Sequence, residues 1–292
     1  MPWDSRASGP TAQESTLADV IETIDEVSPE TKADLAEHLG LSEHYLSELF
    51  GELKRNGLVR KAYVVDRQAV LEAAPAISEF SGLASSDAPV DNDLFASLRK
   101  LDEVTADQYA AARMAFDGGT PDPAADKLEP LANQRYLVVL RELKSLTITT
   151  DWPGNRIAAD LAVLARYMEV VGDRACFIAD SIRAAEDTPR GIVNERVLEV
   201  FEGGEAINDH LGGIVFDGEV TRIDPLYDEE KRVHRTLDEL FELITAYDPA
   251  VYGYLVAVTR ALERAIHYWV SAAELAVRLH TGLESKYPVG VG

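Results

Sequence analysis

Four pairs of ligand-type side chains recur at a spacing of four residues: Glu169 with Asp173, Glu263 with His267, Asp122 with Asp126, and Asp224 with Asp228. On a helix, positions four apart stand side by side, so each pair can aim two donor groups at one point. Paired carboxylates suit a hard cation, and the imidazole of His267 shifts the preference toward iron, zinc or manganese. Transition-metal ions at these pairs are therefore the expected cofactors, with Glu169 and Asp173 the leading ligands. The spacing also has a plainer reading, because Glu169 follows Arg166 by three residues and can pair with it. Catalytic chemistry finds no matching pattern: there is no Gly-rich phosphate loop, no Ser/His/Asp arrangement and no Cys beside a base. The chain reads as a non-enzyme.

Two of these pairs lie on the same kind of element. From Leu161 to Ala184 the apolar residues Leu161, Leu164, Met168, Val171, Ala175, Ile178 and Ile182 recur every three or four positions, the period of a helix with one buried face. The pattern returns from Leu255 to Arg278, where Arg166, Glu169, Asp173, Ala179 and Asp180 find counterparts in Arg260, Glu263, His267, Ala273 and Glu274. Phe116-Asp117-Gly118 likewise recurs as Phe216-Asp217-Gly218, each followed by an acidic pair that encloses a proline. Helical periodicity over Leu94–Phe116, Leu131–Leu146, Val193–Phe216 and Leu226–Ile244 supplies the rest. The expected architecture is a six-helix bundle made of two tandem three-helix repeats, 91–186 and 187–292.

The N-terminal third is of another kind. Residues 1–12 read as a disordered tail, and Thr16–Ile24 as a first helix. Ser28 before Pro29 signals a helix start, Gly40 a stop, Ser42 a second start, and Asn56-Gly57 a second stop. Leu58–Val65 is rich in β-branched and aromatic residues and predicts a strand. Helix, tight turn, helix, strand is the order of a winged helix-turn-helix, and residues 15–70 resemble that unit of prokaryotic transcription regulators. The resemblance implies that Ser42, His44, Tyr45, Ser47 and Glu48 face the major groove, and that Lys54, Arg55, Arg60, Lys61 and Arg67 contact phosphates. Such a unit also serves elsewhere as a dimer or partner interface, and Glu43, Glu48 and Glu52 oppose a phosphate backbone. The expected domain spans 13–77, and the Ser/Ala/Asp-rich stretch 78–90 reads as a linker.

The residues Arg166-Tyr167-Met168-Glu169-Val170-Val171-Gly172-Asp173-Arg174-Ala175-Cys176-Phe177-Ile178-Ala179-Asp180 carry a family resemblance. They resemble the signature of PhoU-like phosphate-uptake regulators, here of an archaeal, halophilic type joined to a winged helix-turn-helix. Arg174 and Phe177 depart from the usual His and Asn, and the second copy has Ile266 and His267 where Gly and Asp are usual. The resemblance spans about residues 90–285. It implies paired three-helix bundles, a role in repressing phosphate signalling or uptake, and metal clusters at the acidic motifs in some members.

Composition sets the environment. Asp and Glu number 51 against 28 Lys and Arg, a net charge of −23, and only 8 of the cations are lysines. An acidic, lysine-poor surface stays hydrated where salt screens charge, which suggests the cytoplasm of a salt-accumulating organism. Cys176 is the one cysteine, so no intrachain disulfide forms. The N-terminal residues lack the apolar core of a signal peptide, and no apolar run is long enough to span a bilayer. The expected protein is a cytoplasmic transcriptional regulator of phosphate uptake and signalling. Its expected partners are promoter DNA, a phosphate-transport ATPase or other phosphate-signalling protein, and a second copy in a homodimer. The alternative is an adaptor that acts on a phosphate transporter through protein contacts and binds no DNA.

Overall fold

The computed structural model describes residues 16–17, 19–21, 23–24, 29, 31–59, 69–72, 92–149, 154–185, 189, 191–246 and 249–281. The chain divides into two units, Met1–Asp66 and Arg67–Gly292. It is mainly helical, and no strand occurs among the described residues.

In the first unit every described position between 16 and 24 is helical. Helices α1 (Lys32–Leu39) and α2 (Glu43–Arg55) follow, joined by Gly40, Leu41 and Ser42. The start of α1 is corrected by the structure. Pro29 is not helical, and Thr31 caps the helix: its hydroxyl accepts from the Asp34 amide while the Asp34 carboxylate accepts from the Thr31 amide. This reciprocal box satisfies two orphan donors at once, where Ser28 offered only a single cap. Gly40 closes α1 at φ 63°, a backbone region that costs a side-chain-bearing residue more than glycine. Leu17, Val20, Leu35, Ala36, Leu46, Leu49 and Leu53 form the core of this unit. The predicted strand is not seen at Leu58 and Val59, and its remainder lies outside the described residues, as do the tail 1–12 and the linker 78–90.

The second unit carries six long helices: α3 (Asn92–Phe116), α4 (Ala125–Thr149), α5 (Gly154–Ala184), α6 (Ile192–Asp217), α7 (Ile223–Ala246) and α8 (Pro249–Thr281). A short 3₁₀ turn, Val220–Arg222, precedes α7. Helices α3, α4 and α5 pack on one another, and so do α6, α7 and α8. The two sets meet mainly where α5 lies along α8, and again where α3 lies beside α6. Asp160 with Arg278 (2.8 Å) and the rings of Tyr167 with Tyr268 (5.5 Å) pin α5 and α8 as an antiparallel pair. The repeated Phe-Asp-Gly is a helix stop, since Gly118 and Gly218 both take positive φ, 81° and 72°.

Aromatic packing marks the junction of α3, α6 and α8. Tyr109 stacks edge-on against Trp269 at 4.7 Å and Phe201 at 5.2 Å, and Phe116 lies 5.9 Å from Phe201. Close helix approach there needs a small residue: a Cβ on Gly204 would lie 2.3 Å from the Tyr109 hydroxyl. In the first set the small residue is Gly172 on α5, where a Cβ would lie 2.3 Å from Gln108 Oε1. The glycine of the motif thus lets α5 close on α3.

Two predicted acidic pairs fare differently. Asp224 and Asp228 both lie on α7 and keep their common face. Asp122 precedes α4 and only Asp126 lies in it, so that pair is not side by side on one helix. Helix α4 runs through Pro130, a boundary in the sequence pattern, because it starts five residues earlier and the proline falls in its second turn.

Candidate functional site

The motif residues of α5 and α8 are the starting point. Glu169 is 6% exposed, and the Arg166 guanidinium three residues earlier donates to its Oε2. Burial pushes the Glu169 carboxyl up, Asp173 adds to this, and Arg166 opposes both, leaving it above the ordinary range. On α8 the same pairing recurs: Arg260 donates to Glu263 at 2.8 Å, with its guanidinium also 4.5 Å above the Phe241 ring. The feature common to the two copies is therefore an Arg–Glu pair at i, i+3. Asp173 is half-buried, and His267 sets its ring against Tyr268 at 5.5 Å.

The other predicted ligands are dispersed. Asp126 accepts from Arg183 of α5 at 3.3 Å, with Lys127 at 3.8 Å. Asp228 pairs with Lys231 at 3.2 Å, and Asp122 and Asp224 are exposed. Among the described residues no group of three or more His, Cys, Asp or Glu side chains is placed to hold a metal ion. The four pairs thus stand apart, and the carboxylates of Glu169, Glu263, Asp126 and Asp228 each meet a cationic side chain.

Between α3 and α5 lies a polar contact that the sequence pattern did not reveal. Gln108 of α3 is 1% exposed; its Nε2 donates to Cys176 Sγ at 3.0 Å and reaches the Ala125 carbonyl at 3.4 Å. Burial pushes the Cys176 thiol up to about 12, with Glu129 adding to it, so the group stays a protonated, unreactive thiol. This contact ties α3, α4 and α5 together at one level. The one sequence signal for it was Gly172, which marks a close helix approach without saying what approaches.

The helix-turn-helix offers a second candidate face. Ser42 caps α2 by accepting from the Tyr45 amide at 3.2 Å, and Tyr45 is half-buried against the core. Ser47 donates to the Glu43 carbonyl at 2.7 Å and accepts from Lys32 Nζ at 2.8 Å, while Lys32 also meets Glu43 at 3.4 Å. His44 is fully displayed with Glu48 at 3.7 Å. Lys54 lies 5.6 Å from the Phe50 ring centroid, and Arg55 donates to the Gly51 carbonyl at 3.1 Å. Arg60, Lys61 and Arg67 lie outside the described residues.

Comparison with known proteins adds a relative and no activity. The chain is 27% identical over 243 residues to the Uncharacterized protein MJ1641 of Methanocaldococcus jannaschii, covering 83% of this chain and 79% of that one. No protein-family model matches the chain, and no solved structure does. Among the described residues no helix is long and apolar enough to cross a membrane.

Proposed function

We propose that this chain is a PhoU-like regulator of phosphate uptake and signalling, in which the helical unit responds to phosphate status and α2 is offered to promoter DNA. The observation that carries the DNA reading is the pair of helices α1 and α2 joined by three residues, with both facing ends capped. Along α2 the exposed positions His44, Ser47, Glu48, Gly51 and Arg55 form one outward stripe, with Gly51 removing bulk at its centre. The cations Lys54 and Arg55 stand at its C-terminal end. The Arg–Glu pairs on α5 and α8, and the helix stops at Gly118 and Gly218, support the reading of the second unit as a duplicated bundle.

One observation favours the adaptor reading. Lys32, the cation nearest the start of the stripe, is already engaged by Ser47 and Glu43, and Glu43, Glu48 and Glu52 leave α2 acidic on average. The two readings part in a binding titration of the full chain on its own upstream DNA at molar potassium chloride. The DNA reading expects retention of a specific fragment that the double substitution Lys54→Glu/Arg55→Glu abolishes. No retained fragment, with capture of a phosphate-transporter subunit by the same preparation, would replace it with the adaptor.

A further inference from the structure

The outward face of α4 is poor in acids for a chain this acidic. Between residues 130 and 148 no aspartate or glutamate is exposed, although the chain holds 51 acids to 28 bases. The one acid in that stretch, Glu142, is half-buried and accepts from Ser97 of α3 at 3.0 Å. Exposed there are Leu131 (37%), Leu137 (50%) and Ile148 (73%), together with Arg141 and Lys144. Neither cation forms an ion pair among the described residues. Carboxylates capture Arg113, Arg196, Arg222 and Arg232 elsewhere, whereas Arg141 and Lys144 share their face with apolar side chains and with no exposed carboxylate. The second helix of the other set shows that the fold does not require this face. The exposed side of α7 has no large apolar residue and mixes Asp224, Asp228, Asp238, Glu239 and Glu242 with Lys231, Arg232 and Arg235.

The spacing of the face specifies the shape of what covers it. Pro130, Gln134, Leu137, Arg141, Lys144 and Ile148 succeed one another by four, three, four, three and four residues, a heptad seam about 27 Å long at 1.5 Å per residue. A seam of that form stays in register with a single helix laid along it. Its charge calls for carboxylates, and its exposed leucine and isoleucine call for apolar residues at the same period. We propose that this face of α4 docks an acidic amphipathic helix of another protein, with carboxylates on Arg141 and Lys144 and apolar side chains over Leu137 and Ile148. A second copy of this chain fits less well, because a twofold contact brings the cationic face against itself. An anionic bilayer fits less well too, because a molecule of net charge −23 is repelled by it. The inference does not depend on whether α2 meets DNA.

The test is site-specific photocrosslinking in the organism's own cells, with a benzophenone side chain placed at Gln134 of the full chain and, as control, at Asp238 of α7. The expected adduct is a peptide of another protein that is acidic and carries apolar residues three and four apart. Its yield is expected to fall at least tenfold in Arg141→Glu/Lys144→Glu, with the melting temperature unchanged. Should that variant unfold, Leu137→Ser is read in its place. An adduct with a second copy of this chain, a lipid adduct, a peptide without acidic character, or a yield no higher than at Asp238 overturns the proposal. So does a yield that survives both variants.

Discussion

Glu169 shows how much of a residue's role is set by a neighbour three positions away. Its side chain is nearly sealed while that of Arg166 is half-exposed, so the buried charge is tolerated through one charge-assisted contact. Arg166→Ala removes the partner and leaves the carboxylate to meet the cost of burial alone. The expected loss is about 2 kcal/mol at neutral pH, the usual cost of breaking a hydrogen bond to a charged group. Because the Glu169 carboxyl is held above its ordinary range, it takes up a proton early on acidification, and the loss shrinks toward pH 4. Urea unfolding of both proteins at pH 7.5 and pH 4 checks this; an equal loss at both values would mean that Arg166 acts through packing. At this scale the sequence was partly legible. The Arg166–Glu169 spacing announced the pair, whereas Gln108 did not announce itself, because a buried glutamine and a surface glutamine look alike in a polar-apolar pattern.

Helix contacts depend on where the chain puts its glycines, and here the two copies differ. The first set uses Gly172 on its third helix, facing Gln108; the second has Ile266 at the matching position and uses Gly203 and Gly204 on its first helix. The helix periods were readable because they repeat over several turns. The location of the close approach was not, since it depends on which residue faces the glycine across the gap. The two substitutions to alanine should therefore cost differently. At Gly172 the obstacle is chiefly the end of the Gln108 side chain, so Gly172→Ala is expected to lose about 1 kcal/mol, within the range for overpacking. At Gly204 the obstacle is the rigid ring and hydroxyl of Tyr109 with Trp269 behind it, and about 3 kcal/mol is expected. Pairing Gly172→Ala with Gln108→Ala should recover part of the first loss, and thermal unfolding of the three variants measures all of it. Equal costs at the two glycines would show that the aromatic junction can move as freely as a glutamine.

Across the second unit, two buried groups tilt stability with pH in opposite directions. Burial, with Glu103 adding and Arg99 opposing, raises the Asp102 carboxyl from 3.8 to about 7. Burial lowers the His280 imidazole from 6.5 to about 4, against hydrogen bonds to the Ile214 and Val215 carbonyls that tie α8 to α6. Between pH 3.8 and 7 the unfolded chain has lost the Asp102 proton while the folded one keeps it, so stability falls as pH rises. Between pH 6.5 and 4 the unfolded chain has gained a proton on His280 while the folded one has not, so stability falls as pH drops. Over the shared range the two slopes oppose each other, and these groups alone leave stability nearly level there. Each variant should uncover the other slope. In Asp102→Asn the alkaline-side loss disappears, and stability should then fall by about 3 kcal/mol from pH 7 to pH 4, the size of the His280 shift at about 1.4 kcal/mol per pH unit. In His280→Gln the acid-side loss disappears, and stability should fall by about 4 kcal/mol from pH 4 to pH 7.5. Neither group was legible as buried from its type alone, because aspartate and histidine in an acidic chain read first as surface residues. Measuring both variants in molar potassium chloride, where the charge on the surface is screened, separates these two buried groups from the general repulsion of a −23 chain. Parallel pH profiles for the two variants would mean that the opposing tilt belongs to other groups.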